Sequence, residues 1–157
     1  MSDEYGKTSR QGNKADLAHC GLAQAIDAIG DPHSLLLLRE VVCGVHRFDY
    51  MQNDLGMSRS IMSNRLARLV ESGVLTREKY KIPGQRQRYE YKLAPKGEAL
   101  LPALMALKAW AEEYLLKAQS SFRFCLEDRR EVSLCIRTKD GEIIDDPARV
   151  SILNIED

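Results

Sequence analysis

At 157 residues and 44% apolar content, the chain is long enough for one domain with additions and carries enough apolar side chains to fill a core. Its 23 Lys plus Arg balance 23 Asp plus Glu, so the formal net charge is zero, and no apolar run approaches the roughly 20 residues of a membrane span. The opening MSDEYGKTSRQGNKAD is polar and has no apolar signal core, which points to the cytoplasm, with residues 1–16 as a flexible lead.

The first predicted helix runs from Leu17 to Ile29, with Leu22, Ala25, Ile26 and Ile29 on one side. Asp31 then caps a second helix, opened by Pro32 and continuing through SLLLLREVVCG, apolar enough to be central in the core. The turn Gly44 to Arg47 leads into FDYMQNDLG, a short helix whose Phe48, Met51 and Leu55 face inward. Arg47 and the polar residues of that helix are candidates for contact with a nucleic-acid backbone.

After Gly56, Ser58 supplies an N-cap, Met62, Leu66, Leu69 and Val70 recur at helical spacing, and Gly73 supplies the stop. Ser60, Asn64, Arg68 and Glu71 fall on the opposite face, with Arg59, Ser63 and Arg65 on its flanks. Arg forks onto guanine, Asn onto adenine, and Ser onto phosphate or either base. A solvated helix face has the same composition, so the helix alone does not decide.

The segment after Gly73 decides. Val74 to Ile82 and Arg86 to Leu93 alternate as strands joined by Pro83-Gly84, and Lys79, Lys81, Gln85, Arg86 and Arg88 crowd the tip with donors. Helix, glycine, strand, basic turn and strand in that order is the winged helix-turn-helix layout, in which the helix enters the major groove and the hairpin is the wing. The neutral total hides this segment: from His46 to Gly97 there are 11 basic and 5 acidic residues, a net of +6, against a net of −6 elsewhere. That asymmetry concentrates attraction for phosphate on one surface.

Pro95 to Gln119 reads as one long helix with a broad apolar stripe, Leu100, Leu104, Leu107, Trp110, Ala111 and Tyr114 among it, too large to hide against a winged helix alone. Beyond it, residues 120–157 form a small β extension with alternation in FRFCL and EVSLCIRT, a Lys139-Asp140-Gly141 turn and a GEIID strand. From Ser121 on, its net charge is −3, so it is not assigned to DNA; dimer support and an effector-site lid both remain open. The fold class is α+β, mainly α, with residues 17–119 as the winged-helix and dimerisation domain.

No catalytic chemistry stands out. Cys20, Cys43, Cys125 and Cys135 form no CxxC pair, His19, His33 and His46 have no evident nucleophile partner, and no phosphate loop occurs, so neither metal, cofactor nor enzyme is expected. Cys43, at the end of an apolar helix, is expected to pack as a small hydrophobe, whereas Cys20 precedes a helix, where an exposed thiolate is favoured.

The landmarks then fall in a familiar order: Cys20, AIG before the core helix, LLLLRE, Arg47-Phe48, SR-x-x-x-S-x-RL-x-x-L from Ser58 to Leu69, GVL at Gly73, YEYKL at Tyr89 and KGEALLP at Lys96. Over Cys20 to Ala118 the chain resembles the HxlR-type regulators, a MarR-related group of dimeric bacterial winged-helix transcription factors. Pro32-His33 departs from the Lys-Trp or similar pair usual there, and the tail's paired cysteines are not reproduced, although its DP-x-x-V-like ending is similar. The resemblance implies a homodimer pairing through the long helix or the N-terminal helix and reading an inverted-repeat operator on double-stranded DNA, most simply as a repressor. It also implies a modulating signal, either a small apolar or aromatic effector or an electrophile or oxidant acting at Cys20. A protein-interaction module built on the same fold is the alternative, and predicts weak salt dependence on DNA.

Overall fold

The computed structural model describes residues 17–84, 86–118 and 120–150. The expected flexible lead, Gln85 at the wing tip, Gln119 and the last seven residues lie outside them. Four helices come first: α1 (Gly21–Ile29), α2 (Pro32–Val42), α3 (Phe48–Leu55) and α4 (Arg59–Glu71), followed by the hairpin β1 (Leu75–Tyr80) and β2 (Arg88–Leu93). A single turn α5 (Pro95–Glu98), α6 (Leu101–Tyr114) and the two-residue strands β3 (Ile136–Arg137) and β4 (Ile143–Ile144) complete the order.

Local signals account for most boundaries. The Asp31 carboxylate accepts the Ser34 N–H at 3.1 Å and Pro32 opens α2, while the Ser58 hydroxyl accepts the Ile61 N–H at 3.3 Å. Gly56 adopts φ 61°, the left-handed cap that lets α3 turn into α4. Lys96 donates to the Ser72 carbonyl at 2.8 Å, placing a cation at the C-terminal end of α4, where the helix dipole favours it.

The core lies beneath α4. Leu37, Leu38 and Val41 of α2, Met51 of α3 and Met62, Leu66 and Leu69 of α4 meet Val74, Leu75 and Tyr91 of the hairpin, with Phe48, Leu55 and Val70 partly buried around them. Gly97 belongs to this packing: a Cβ there would come within 2.2 Å of the Val74 carbonyl oxygen, so only glycine lets α5 approach the hairpin so closely. Two buried polar side chains are satisfied, Ser34 by Asp31 and Glu40 by Arg39.

The structure corrects several boundaries and placements. The segment read as a helix from Leu17 is a 3-10 turn, Leu17–His19, followed after Cys20 by α1, because Gly21 is a poor helix former and marks the true start. The long helix is broken after α5 at Ala99 and Leu100. Pro102 has no N–H for the carbonyl one turn back and its ring crowds that carbonyl, so α6 starts afresh with proline in its first turn. α6 also stops at Tyr114, short of Gln119. Cys43, expected to pack, caps α2 and is exposed; neighbouring atoms still desolvate its sulfur and raise the thiol pKa.

The hairpin pairs Leu75 with Leu93 through Tyr80 with Arg88, so the strands are shorter than the alternation suggested and Lys81, Ile82, Arg86 and Gln87 form the loop. The tail is a small β extension, with an isolated bridge between Cys125 and Glu131 and the β3–β4 pair around the Lys139-Asp140-Gly141 turn.

Candidate nucleic-acid interface

Burial of Met62, Leu66 and Leu69 fixes the rotation of α4 and thereby its outward face. Ser60, Ser63 and Asn64 are exposed there, and none has a side-chain hydrogen-bond partner among the described residues. Arg59 is exposed and its guanidinium lies 4.9 Å from the centre of the Phe48 ring, which holds it at the start of the helix. Ser58 is exposed but engaged as the cap.

The two other arginines of α4 turn toward the back. Arg65 Nε lies 3.3 Å from the Asp31 carboxylate, and an Arg68 Nη donates to the Asp27 carbonyl at 3.3 Å. Sequence placed both residues among the base readers, whereas the structure uses them to fasten the α1–α2 turn to α4. Asp31 carries this junction. Desolvation alone would raise its pKa, but hydrogen bonds from the Ser34 side chain and backbone, aided by Arg65, outweigh it and hold the carboxyl below its ordinary value.

On the wing, Lys79, Lys81 and Arg86 are exposed and without carboxylate partners among the described residues. Arg88 is ion-paired to Asp49 of α3. Arg47 is half-buried, its guanidinium 4.6 Å from the Tyr80 ring centre and 5.9 Å from that of Tyr50, and its backbone bridges to Glu90. His46 and Tyr91 add two bonds to the same seam, Tyr91 N–H to the His46 carbonyl at 2.8 Å and His46 Nδ1 to the Tyr91 carbonyl at 3.0 Å. The wing is thus laced to the start of α3.

Between the wing and the starts of α3 and α4 lies an open cleft of about 460 Å³, walled by Arg59, Ser63, Arg86, Arg88, Tyr80 and Tyr89 among others. Sequence did not place Tyr80, Tyr89 or Gln87 among the residues that would contact DNA. Arg77, stacked 4.4 Å from the Tyr89 ring centre, is a further cation on this hairpin. The available signal was the interleaving of aromatic and basic residues along both strands. Lys92 is ion-paired instead: Glu78 at 2.6 Å and Glu90 at 3.2 Å raise its pKa, the hydrogen bond that Lys92 donates to Glu78 contributing most.

Away from this surface, apolar side chains stand uncovered. Of the α6 stripe, Leu100 and Leu104 pack on the core and Ala111 is half-buried, but Leu107, Trp110 and Tyr114 are exposed, as are Leu22 and Ile26 of α1. Cys20 is half-buried at the start of α1. Among the described residues no group of three or more His, Cys, Asp and Glu is placed to hold a metal, and no helix is long and apolar enough to cross a membrane.

Comparison with known proteins places this geometry. The HTH-type transcriptional regulator Rv3095 of Mycobacterium tuberculosis is 36% identical over 105 residues, which cover 64% of this chain and 65% of that protein, so the chain spans a little under two thirds of that relative's length. The crystal structure of PA1607, a proposed transcription factor, is 32% identical with a TM-score of 0.74 and covers 88% of this chain and 96% of that one. PA1374 of Pseudomonas aeruginosa, likewise a proposed transcription factor, is 27% identical with a TM-score of 0.57, covering 86% and 92%. Both shares exceed what residues 1–119 alone make up, so part of the C-terminal extension recurs in these two structures. The family model described as HxlR-like helix-turn-helix matches residues 28–119, and the chain belongs to that family.

Proposed function

We propose that the chain is a homodimeric, sequence-specific DNA-binding repressor acting in the cytoplasm on an inverted-repeat operator. One observation carries the reading: the face of α4 that points away from the core presents Ser60, Ser63 and Asn64 without internal partners among the described residues, beside a wing whose Lys79, Lys81 and Arg86 are equally unpaired. Polar groups fixed on a rigid helix and left unsatisfied by the protein are matched by base edges, and cations on a projecting hairpin by phosphates.

In this reading Asn64, Ser60 and Ser63 contact bases, Arg59 and the wing contact phosphates or the minor groove, and Arg47 meets the backbone. Arg65 and Arg68 brace the helix from behind. The uncovered faces of α1 and α6 pair with a second copy, setting two reading heads about one helical turn of DNA apart. A signal modulates this, and Cys20, at the start of α1 beside that interface, is the site for an oxidant or electrophile. A Cys20→Ser variant that still released DNA on oxidation would remove Cys20 from that role.

The test is a band shift on the region upstream of the chain's own gene over a salt series. A repressor gives a specific shift whose logarithmic affinity falls linearly with the logarithm of salt. No specific shift at any salt argues for the protein-interaction alternative instead.

A further inference from the structure

We propose that the pocket enclosed by the C-terminal extension, α2 and α6 binds a small aromatic carboxylate, and that this is the port through which a small-molecule signal reaches the reading head. The second half rests on the regulator reading above; the first does not.

The extension lays Phe122 and Phe124 edge to face, ring centres 5.6 Å apart and planes at 77°, over the end of α2 and the start of α6. Beneath them lies an apolar slot of about 130 Å³, lined by Val42, Leu104, the two phenylalanines and the stems of Arg39 and Lys108. An apolar cavity of about 150 Å³ in another protein accepts a benzene ring, so the slot has the size for a single ring.

A second cleft of about 600 Å³ shares Lys108 with the slot and is polar, with Lys117, Arg123, Glu112 and Glu131 on its walls. Two of its cations are matched: Lys108 with Glu112, whose pKa the hydrogen bond from Lys108 lowers, and Arg123 with Glu131 at 3.4 Å. Lys117 has no carboxylate partner among the described residues, which leaves the cleft one positive charge in excess. The Lys108 ammonium lies 5.1 Å and the Arg39 guanidinium 5.6 Å from the Phe122 ring centre, so both cations gather at the mouth of an aromatic slot.

A ring in the slot with a carboxylate emerging toward Lys108 and Lys117 uses both halves. A neutral ring leaves the cleft's one excess positive charge unanswered, and an inorganic anion leaves the slot empty. Phe122, Arg123 and Phe124 lie beyond the residues matched by the family model, so the extension closes a site whose other walls, Arg39, Val42, Leu104 and Lys108, come from the shared domain. Its position suits a signal: α2 carries Leu37, Leu38 and Val41 into the core under α4, and α6 carries the uncovered stripe. Occupancy therefore acts where the reading head joins the dimer helix.

Isothermal titration of the full chain with benzoate, benzamide and inorganic phosphate tests the site. Benzoate is expected to bind saturably at one per chain, with benzamide and phosphate about tenfold weaker or more. Lys108→Met keeps the stem and removes the charge; it should weaken benzoate about tenfold and leave benzamide unchanged. Val42→Phe fills the slot and should abolish both, and the melting curve of each variant shows whether it folds. Equal affinity for benzoate and benzamide, benzoate binding indifferent to Lys108→Met, or no benzoate binding at tens of millimolar each overturns the site. Band shifts with and without benzoate address the second half. Bound benzoate that leaves operator affinity unchanged removes the signalling role, and a chain that binds no operator removes the regulator reading while the titration still decides the site.

Discussion

The reading head and the elements that flank it are built from similarly regular apolar patterns, yet they end differently. In the head, Leu37, Leu38, Met51, Met62, Leu66 and Leu69 have 0% of their surface exposed. In α1 and α6, Leu22 is 70% exposed, Trp110 55% and Tyr114 71%. A helix stripe shows only that a side chain seeks apolar company, not whose. The head finds that company within one chain and is complete. The flanks leave theirs uncovered, and uncovered apolar patches of this kind are what the proposed pairing with a second copy needs.

The largest effect separates the two regions by stability. Leu66→Ala removes a fully buried side chain and should cost about 2–5 kcal/mol in denaturant unfolding, with α4 loosened and DNA binding lost together. A cost under about 1 kcal/mol would mean the head is not the tightly packed half. Trp110→Ala should do the reverse. Sedimentation velocity should show monomer where the parent is dimeric, and the unfolding midpoint should stop depending on protein concentration while secondary structure is kept. A dimer that survives both Trp110→Ala and Leu107→Ser would show that another surface covers the flanks.

The same division explains what the sequence made legible. The start of α4 was readable from Ser58, its inner face from Met62, Leu66 and Leu69, and its end from Gly73, because each signal acts within one turn of the chain. The wing was readable from Pro83-Gly84 between alternating runs. The break at Pro102 was also present in the sequence, as a residue that cannot continue a helix, but a long apolar stripe outweighed it. The roles of Arg65 and Arg68 were hidden for a different reason: their partners Asp31 and Asp27 are far away in sequence, and no periodicity reports a contact made by folding. Exposure of Cys43 was hidden likewise, since the end of an apolar helix says nothing about which side its cap faces.

Within the head, front and back of α4 give the next contrast. Asn64→Ala should cost about 1–3 kcal/mol on the preferred operator and less on mutated sites, so discrimination at one base pair collapses. Arg68→Ala, whose side chain holds Asp27, should instead leave the ranking of operator variants unchanged and lower the melting temperature slightly. Base preferences measured by competition on a randomised operator decide this; a changed ranking from Arg68→Ala would return that residue to the front face.

The smallest expected effect lies at the seam between the two regions, where Asp31 caps α2, accepts from Ser34 and meets Arg65. Its pKa is lowered in the folded chain, so its contribution is fully present above the unfolded value of about 3.8 and is lost as pH falls through the lower folded value. Asp31→Asn can still cap but does not titrate, whereas Asp31→Ala loses the cap as well and should cost about 1 kcal/mol at neutral pH. Asp31→Asn should therefore be less stable than the parent at neutral pH by a smaller amount, and the gap should close as the solution is acidified below the carboxylate range. Other carboxylates held below their ordinary values, Glu112 and Asp140, titrate in both proteins and cancel in the comparison. A gap that stays constant down to pH values where Asp31 is protonated would show that the seam is held by the shape of the cap and not by its charge, and Arg65 would then be as free to turn toward DNA as the wing cations are.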